Sequence, residues 1–335
     1  MLSWADYAAN FGGADGSELA RAVWGFFTNG GGEAVVLRLP DMTPGAPRAV
    51  NLGLLDGVDL NLLSLPGSAA LGAEAAAAEL ASAARYCASR RAFLVADCPT
   101  ALGMGTGLRG WVQALTIQLG QAGSYAALYA PSPTFLGPDS QPYSGPPSGA
   151  VAGVYARTDR DRGVWKAPAG LEARVNGAVG VAGLSNGEIG LLNSAGVCPI
   201  HALPDAGIVL WGARTLAGGG SVLSEWKYVP VRRLSSFIER SIERGLQWAV
   251  FEPNAENLWA AIRLIVGSFL NGLFRQGAFA GASAREAYFI ECGRDTMTQD
   301  DIDHGRLIVE VGIAPIKPAE FVIIRIGLWA AKPDP

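Results

Sequence analysis

The sequence predicts an α/β protein in which a layered, mostly parallel sheet is followed by a C-terminal α+β unit. In the first half, short apolar runs such as 92–97 (AFLVAD) alternate with helical patterns, which is typical of βαβ units. Towards the C-terminus, two long amphipathic patterns precede several strand patterns. The Gly-rich run 217–221 is the best boundary between the two parts. We therefore expect domains at 1–220 and 221–335.

The elements of the first half follow from turn signals and apolar spacing. Asp15 to Glu18 has the pattern of a capping box, and the Gly run after Asn29 ends the helix that it opens. We predict strands at 34–39, 59–65, 92–97, 125–129, 178–182, 197–200 and 208–211. We predict helices at 69–90, 110–119, 148–158 (with Ser148 as the cap) and 185–192. The Pro-, Gly- and Ser-rich residues 131–149 are expected to form a long loop.

The C-terminal unit is expected to place two helices against a mostly antiparallel sheet. Apolar residues repeat at helical spacing over 231–250 and again over 255–274, where Asn254 is positioned as the cap. Strand patterns follow at 287–292, 306–313 and 321–326.

Composition and charge argue against several functional classes. The formal net charge of −4 and the absence of a basic stripe disfavour a nucleic-acid binder. The four cysteines are far apart and lack CxxC spacing, so we expect reduced, mostly buried thiols in a cytosolic setting rather than a zinc or redox site. The N-terminus has no signal-peptide pattern, and the longest apolar run, 258–274, is interrupted by polar residues. No membrane insertion is therefore expected.

A glycine motif supplies the alternative interpretation of the chain as a nucleotide-binding α/β enzyme. Residues 105–110 read GTGLRG, which matches the GxGxxG pattern between a strand and a helix. The motif begins eight residues after Asp97 rather than in the tight turn directly after the strand, and the acidic residue expected some twenty positions later is missing. A flexible loop is the favoured interpretation.

The titratable residues give no complete catalytic or metal site. Asp97 ends a central strand, where α/β enzymes place catalytic carboxylates, but a helix cap or loop anchor is favoured because it has no paired acid nearby in sequence. His201 and His304 are the only histidines, and neither accompanies a GxSxG elbow. The acidic cluster Asp300, Asp301 and Asp303 lacks the EF-hand ligand order and is interpreted as a capping loop. We predict no cofactor, no metal and no enzymatic activity.

Several motifs in order resemble the contractile tail sheath family of phage tails and phage-tail-like injection particles. They are Ser3–Tyr7 with Phe11–Gly13, Phe26–Gly31, Pro146–Gly153 with Arg157–Asp159, Gly163–Pro168, Trp211–Leu216, Trp226–Leu234, Val250–Asn254 and Ala314–Phe321. The resemblance covers nearly the whole chain. It implies a subtilisin-like, non-catalytic α/β domain followed by the family's C-terminal domain.

The resemblance also implies a function and a set of partners. Members of the family polymerise helically around an inner tube protein, attach to a baseplate and to sheath-terminating proteins, and contract to drive the tube through a target envelope. We accordingly expect a structural subunit that is assembled in the cytoplasm and contacts itself, the tube and the baseplate, with no nucleic acid and no cofactor.

The resemblance places strand-exchanging arms at both ends of the subunit. The family's N-terminal arm would precede Ser3, and the sequence given begins close to that residue. At the other end, the predicted subunit-interface strand comprises Glu320, Phe321, Val322, Ile323, Ile324, Arg325 and Ile326. A non-polymerising, sheath-derived adaptor is a further alternative.

Overall fold

The computed structural model describes residues 1–13, 16–38, 51–219 and 224–320. The helices in these ranges are α1 (Trp4–Phe11), α2 (Glu18–Thr28), α3 (Ala73–Arg90), α4 (Thr106–Leu119), α5 (Ser148–Arg162), α6 (Asn186–Ser194), α7 (Val229–Gly245), α8 (Glu256–Arg275), α9 (Ala284–Ala287) and α10 (Gln299–Asp303). The strands are β1 (Leu62–Ser64), β2 (Phe93–Asp97), β3 (Ala126–Ala130), β4 (Thr134–Leu136), β5 (Pro142–Ser144), β6 (Ala178–Gly180), β7 (Val197–Leu203), β8 (Gly207–Leu210), β9 (Tyr288–Glu291) and β10 (Glu310–Ile313).

The central sheet is mixed, with five strands in the order β1-β2-β3-β7-β8. The first four strands are parallel, and β8 returns antiparallel to β7. Strands β2 and β3 are buried along their whole length, which explains their continuous apolar sequences. The predicted mostly parallel sheet is therefore present, with an antiparallel strand at one edge.

The sheet carries a hydrophobic core on each face because side chains alternate along its strands. Leu94 and Ala96 of β2 join the core formed with α3 and α4. Phe93 and Val95 point to the opposite core, which is formed with α5. On that face α2 crosses α5 closely. Gly149 and Gly153 permit this approach, because a Cβ at either position would overlap the backbone of α2.

Asp97 caps helix α5 from the end of β2. Its Oδ1 accepts a hydrogen bond from the Ser148 backbone N–H at 2.8 Å. The expectation that Ser148 caps the helix was wrong: Ser148 is the first residue of the helix, and its Oγ contacts Ser64 Oγ at 2.7 Å. The other Asp97 oxygen is buried without a hydrogen-bond partner, and burial raises the pKa of this carboxyl to about 7 although the Ser148 hydrogen bonds lower it.

The C-terminal elements form a third core around α7 and α8. Strands β9 and β10 pair antiparallel, and their inner faces join the apolar side of α8. The buried residues of α8 are Leu258, Trp259, Ile262, Val266, Leu270 and Leu273. Asn254 does not cap this helix, because the N-cap position is Ala255 and the Asn254 side chain accepts a hydrogen bond from Trp259 instead.

Helix α7 connects the central sheet to the C-terminal core. In its first turns, Arg233 is 7% exposed and makes a two-pronged ion pair with Asp159 of α5 at 2.8 and 2.5 Å. The neighbouring Arg232 lies over the Trp226 ring. Further along, Ile238 enters the C-terminal core.

Two expectations about backbone structure were wrong. A strand was expected at 34–39, but its described part, 34–38, forms none. The Ala34 backbone hydrogen-bonds with Met1, and among the described residues no neighbouring strand builds a ladder with this run. Residues 131–149 are not a single long loop, because β4 and β5 form part of a small antiparallel sheet with β6.

Helix α8 also corrects the expectation about apolar runs. In the part of the chain that the structure describes, it is the one helix that is long and apolar enough to cross a membrane, judged by length and composition alone. One face of this helix is buried in the C-terminal core, as in many core helices of globular proteins.

The Arg233–Asp159 pair predicts a large effect on stability. We expect Arg233→Ala to lower the free energy of unfolding by roughly 3 kcal/mol, because it leaves the Asp159 carboxylate partly buried without its cation. The matched control is Arg160→Ala, which removes an exposed ion pair with Asp161 and should cost below about 1 kcal/mol. Urea unfolding measures both. Equal losses in the two variants would show that the buried pair is not a specific contact.

Asp97 predicts a pH dependence with a defined sign. The folded-state pKa of Asp97, about 7, lies above its unfolded value of 3.8. The stability contributed by the protonated carboxyl is therefore fully present below pH 3.8 and is lost as the pH rises through about 7. Asp97→Asn retains the capping oxygen and does not titrate. We expect the unfolding free energy of this variant, relative to that of the parent, to increase by roughly 2–4 kcal/mol as the pH rises from 4 to 8. The exposed Asp205→Asn serves as the control in urea titrations at each pH. A parent-to-variant difference that does not change with pH would contradict the prediction.

Candidate functional site

Glu320 is the predicted site residue that the structure describes, and it lies in a cluster of donors. Arg214 Nε and Nη2 donate to its Oε1 and Oε2 at 2.6 and 2.8 Å. Lys227 Nζ and Tyr228 Oη both donate to Oε2, at 3.1 and 3.0 Å. We call these four residues the Glu320 anchor. They hold the backbone immediately before Phe321 against the rest of the molecule.

Local backbone pairing places the three donors together. Arg214 and Tyr228 are partners in an isolated antiparallel bridge, which brings the chain after β8 beside the chain that enters α7. The Arg214 guanidinium also donates to the Asn193 carbonyl at 2.8 Å, and this contact orients it towards Glu320. Arg214 and Tyr228 are therefore held by contacts of the fold other than those with Glu320.

The electrostatics of the anchor favour an ionised glutamate. Partial burial by itself would raise the pKa of the Glu320 carboxyl, but hydrogen bonds from Arg214 and Lys227 and the Arg214 charge lower it to about 2. Arg214 is 9% exposed and its own pKa is raised, first by its hydrogen bonds to Glu320. Because the ion pair is partly shielded from water, its Coulomb attraction is screened less than that of an exposed surface pair.

The other predicted interface residues, Phe321, Val322, Ile323, Ile324, Arg325 and Ile326, lie outside the described residues. Sequence reasoning did not single out the three partners of Glu320. The motifs that contain them, WGART at 211–215 and WKY at 226–228, were noticed, but nothing in the sequence links them to a glutamate some hundred residues away.

A sheet edge suitable for strand addition lies in the same C-terminal unit. Strand β9 pairs with β10 on one side, and in the described ranges no other strand joins that two-stranded sheet. Tyr288 and Ile290 point into the core, whereas Phe289 is 54% exposed. A strand with one free edge and alternating burial is able to accept a further strand.

The alternative enzyme sites are not assembled in the described structure. The GxGxxG residues are not a flexible loop as expected: Gly105 precedes α4, and residues 106–110 form its first turn. Asp97 is a helix cap, as favoured from the sequence. His201 lies on β7 opposite Val209.

The acidic cluster near His304 is a helix cap with ion pairs. Asp301 forms a capping box with Thr298 at the start of α10, and Arg306 binds both Asp300 and Asp301. Within the ranges given above, no group of histidine, cysteine and acidic residues has the geometry to hold a metal ion.

Comparison with known proteins matches both halves of the chain to one family. Residues 52–216 match the family model of the phage tail sheath protein central domain, and residues 221–328 match that of the phage tail sheath C-terminal domain. The tail sheath protein of Vibrio phage KVP40 is 22% identical over 191 residues, covering 56% of this chain and 27% of its own length. The chain spans between 27% and 45% of the length of the curated relatives that it matches.

Solved structures match almost the entire chain. A chain of the anti-feeding prophage baseplate is 33% identical, with a TM-score of 0.77 over 97% of this chain and 86% of its own length. A chain of the anti-feeding prophage helical sheath in its contracted state is 34% identical, with a TM-score of 0.75 over 98% and 86%. A likeness of this extent in both sequence and fold shows that the chain belongs to the contractile tail sheath family.

Proposed function

We propose that this chain is a structural subunit of a contractile sheath, which polymerises helically around an inner tube and contracts to drive the tube through a target envelope. The observation that carries the proposal is the match of 98% of the chain to a subunit of an assembled helical sheath. The expected partners are further copies of the chain, a tube protein, a baseplate and sheath-terminating proteins. The family supports a structural rather than an enzymatic role, and we further propose that the chain needs no cofactor and assembles in the cytoplasm.

We assign the role of a rigid body to the proposed domain 1–220, and that of subunit contact to the proposed domain 221–335. The sheet with a helix-covered core on each face supports a rigid body of the subtilisin-like type. The C-terminal unit has the free edge of β9 and the Glu320 anchor. A head-to-tail contact between different surfaces of like subunits generates an open helix rather than a closed ring.

The anchor supports a role for the strand that follows it. Glu320 is tied to the framework by Arg214 and Lys227, so the chain is held at a defined point immediately before the predicted strand. We propose that this strand adds to the β9 edge of a neighbouring copy. Main-chain hydrogen bonds would provide the affinity, and the apolar residues of the strand would meet the exposed Phe289.

Two truncations test the interface strand. We expect deletion of residues 321–335 to abolish sheath-like polymers when a tube protein is co-expressed, because the pairing strand is removed. Deletion of residues 327–335 alone should leave polymerisation intact. Negative-stain electron microscopy gives the result. Polymers formed by the longer deletion would refute the strand assignment but not the sheath function, whereas a full-length chain that stays monomeric with the tube present would refute both.

Glu320→Gln tests the anchor by its pH dependence. Since the folded-state pKa of about 2 lies below the ordinary 4.5, the carboxylate contributes stability above pH 4.5 that is lost as the pH falls towards 2. At pH 7 we expect the variant to lose roughly 1–3 kcal/mol of unfolding free energy, and to approach the parent in acid. Glu310→Gln on the exposed side of β10 is the control. A loss of the same size at every pH would indicate a packing effect instead.

A further inference from the structure

Phe251, in the turn between α7 and α8, is held outward in an uncommon backbone conformation. Its side chain is fully exposed and its φ is +73°, in the left-handed region that few non-glycine residues adopt. Trp248 and Val250 beside it are 44% and 63% exposed. We call these three residues the Phe251 tip. An exposed apolar group held at a backbone cost points to a binding role.

The turn that carries the tip is well fixed. The Glu252 N–H donates to the Ala249 carbonyl at 3.2 Å. Asn254 donates to the Arg306 carbonyl at 3.1 Å and accepts from Trp259 Nε1 at 2.7 Å. The aromatic side chain is therefore presented on a braced support, and an anchor ordered before binding loses little entropy when it is buried.

The surroundings of the tip are acidic. Glu252 lies in the same turn and Glu256 is the first residue of α8, and Arg306, whose carbonyl Asn254 contacts, is paired with Asp300 and Asp301 of α10. Four carboxylates accompany two guanidinium groups here, because Arg263 pairs with Glu256 and Arg306 pairs with both Asp300 and Asp301. A complementary surface would have an apolar pocket with a basic rim.

The same chain has such a surface at the end of α5. A cavity of about 240 Å³ is lined by Thr158 and the alanines 167, 169 and 173, with three basic residues (Arg157, Arg162 and Lys166) and two acidic ones (Asp161 and Glu172). Because Arg162 is paired with Glu172, the basic excess comes from Arg157 and Lys166. A cavity of roughly 150 Å³ is enough for a benzene ring. Guanidinium groups also bind the faces of aromatic rings.

We propose that the Phe251 tip of one copy inserts into this cavity of a second copy. The two surfaces are different parts of the chain, so the contact is head-to-tail and adds subunits without closing. The inference rests on the proposed sheath function, to which it adds a side-chain contact independent of strand exchange.

Phe251→Gly separates docking from folding. Glycine accepts a positive φ without strain, so we expect this variant to melt at a temperature no lower than that of the parent. Its critical concentration for polymerisation with the tube protein should nevertheless rise at least about tenfold, as for the loss of an aromatic hot spot. Leu54→Ala, which truncates another exposed apolar side chain, is the control and should change neither value. Unaltered polymerisation of Phe251→Gly would overturn the proposal.

Cross-linking identifies the receptor surface. With p-benzoylphenylalanine in place of Phe251, irradiated polymers should give inter-subunit cross-links to peptides within 157–173. Cross-links elsewhere would overturn the proposed cavity, whereas absence of any polymer from the unmodified full chain with its tube would remove the sheath function itself.

Charge reversal adds a second criterion: Glu252→Arg should weaken assembly and Lys166→Glu should restore it in the double variant. A double variant weaker than either single one would contradict the pairing.

Discussion

Helix α7 packs against two hydrophobic cores, and the rest of the structure depends on how the helix is oriented between them. Its first turns are buried against the central sheet, where polar side chains in a tight space need partners; Arg233 finds the Asp159 carboxylate of α5. Its later turns supply Ile238 to the core around α8. An apolar stripe alone would not fix the rotation of the helix between two such surfaces, whereas a two-pronged ion pair has directional geometry.

The residues that lead into α7 are the same ones that receive Glu320. Lys227 and Tyr228 precede the helix, and the bridge between Tyr228 and Arg214 joins them to the edge of the central sheet. The end of the described chain is thus tied to the segment that links the two cores. The outward Phe251 tip follows the other end of the helix. Both features proposed for assembly are therefore positioned by a single element.

Local patterns in the sequence predicted the central strands and the long helices, because β2, β3, α7 and α8 have apolar spacings that admit one interpretation. Contacts between distant residues could not be predicted in this way. The Asp97 cap joins residues 51 positions apart, and the Arg214–Glu320 pair joins residues 106 apart. The strand expected at 34–39 had a suitable apolar pattern, but a strand also needs a neighbour, which the pattern does not provide. The GxGxxG pattern matched by its glycines alone, and the structure places these glycines at the start of α4.

The Glu320 anchor also has a mechanical consequence. In the proposed sheath, tension on the chain beyond Glu320 would reach the subunit through charged hydrogen bonds to Arg214 and Lys227. From Arg214 it passes to the Asn193 carbonyl and the Tyr228 bridge, which belong to the main chain around the central sheet. Load is also shared with the backbone of residues 314–316, which is hydrogen-bonded to residues 278–280 after α8. In the proposed sheath, a pull on the segment after Glu320 would therefore act on the central sheet and on the C-terminal core together.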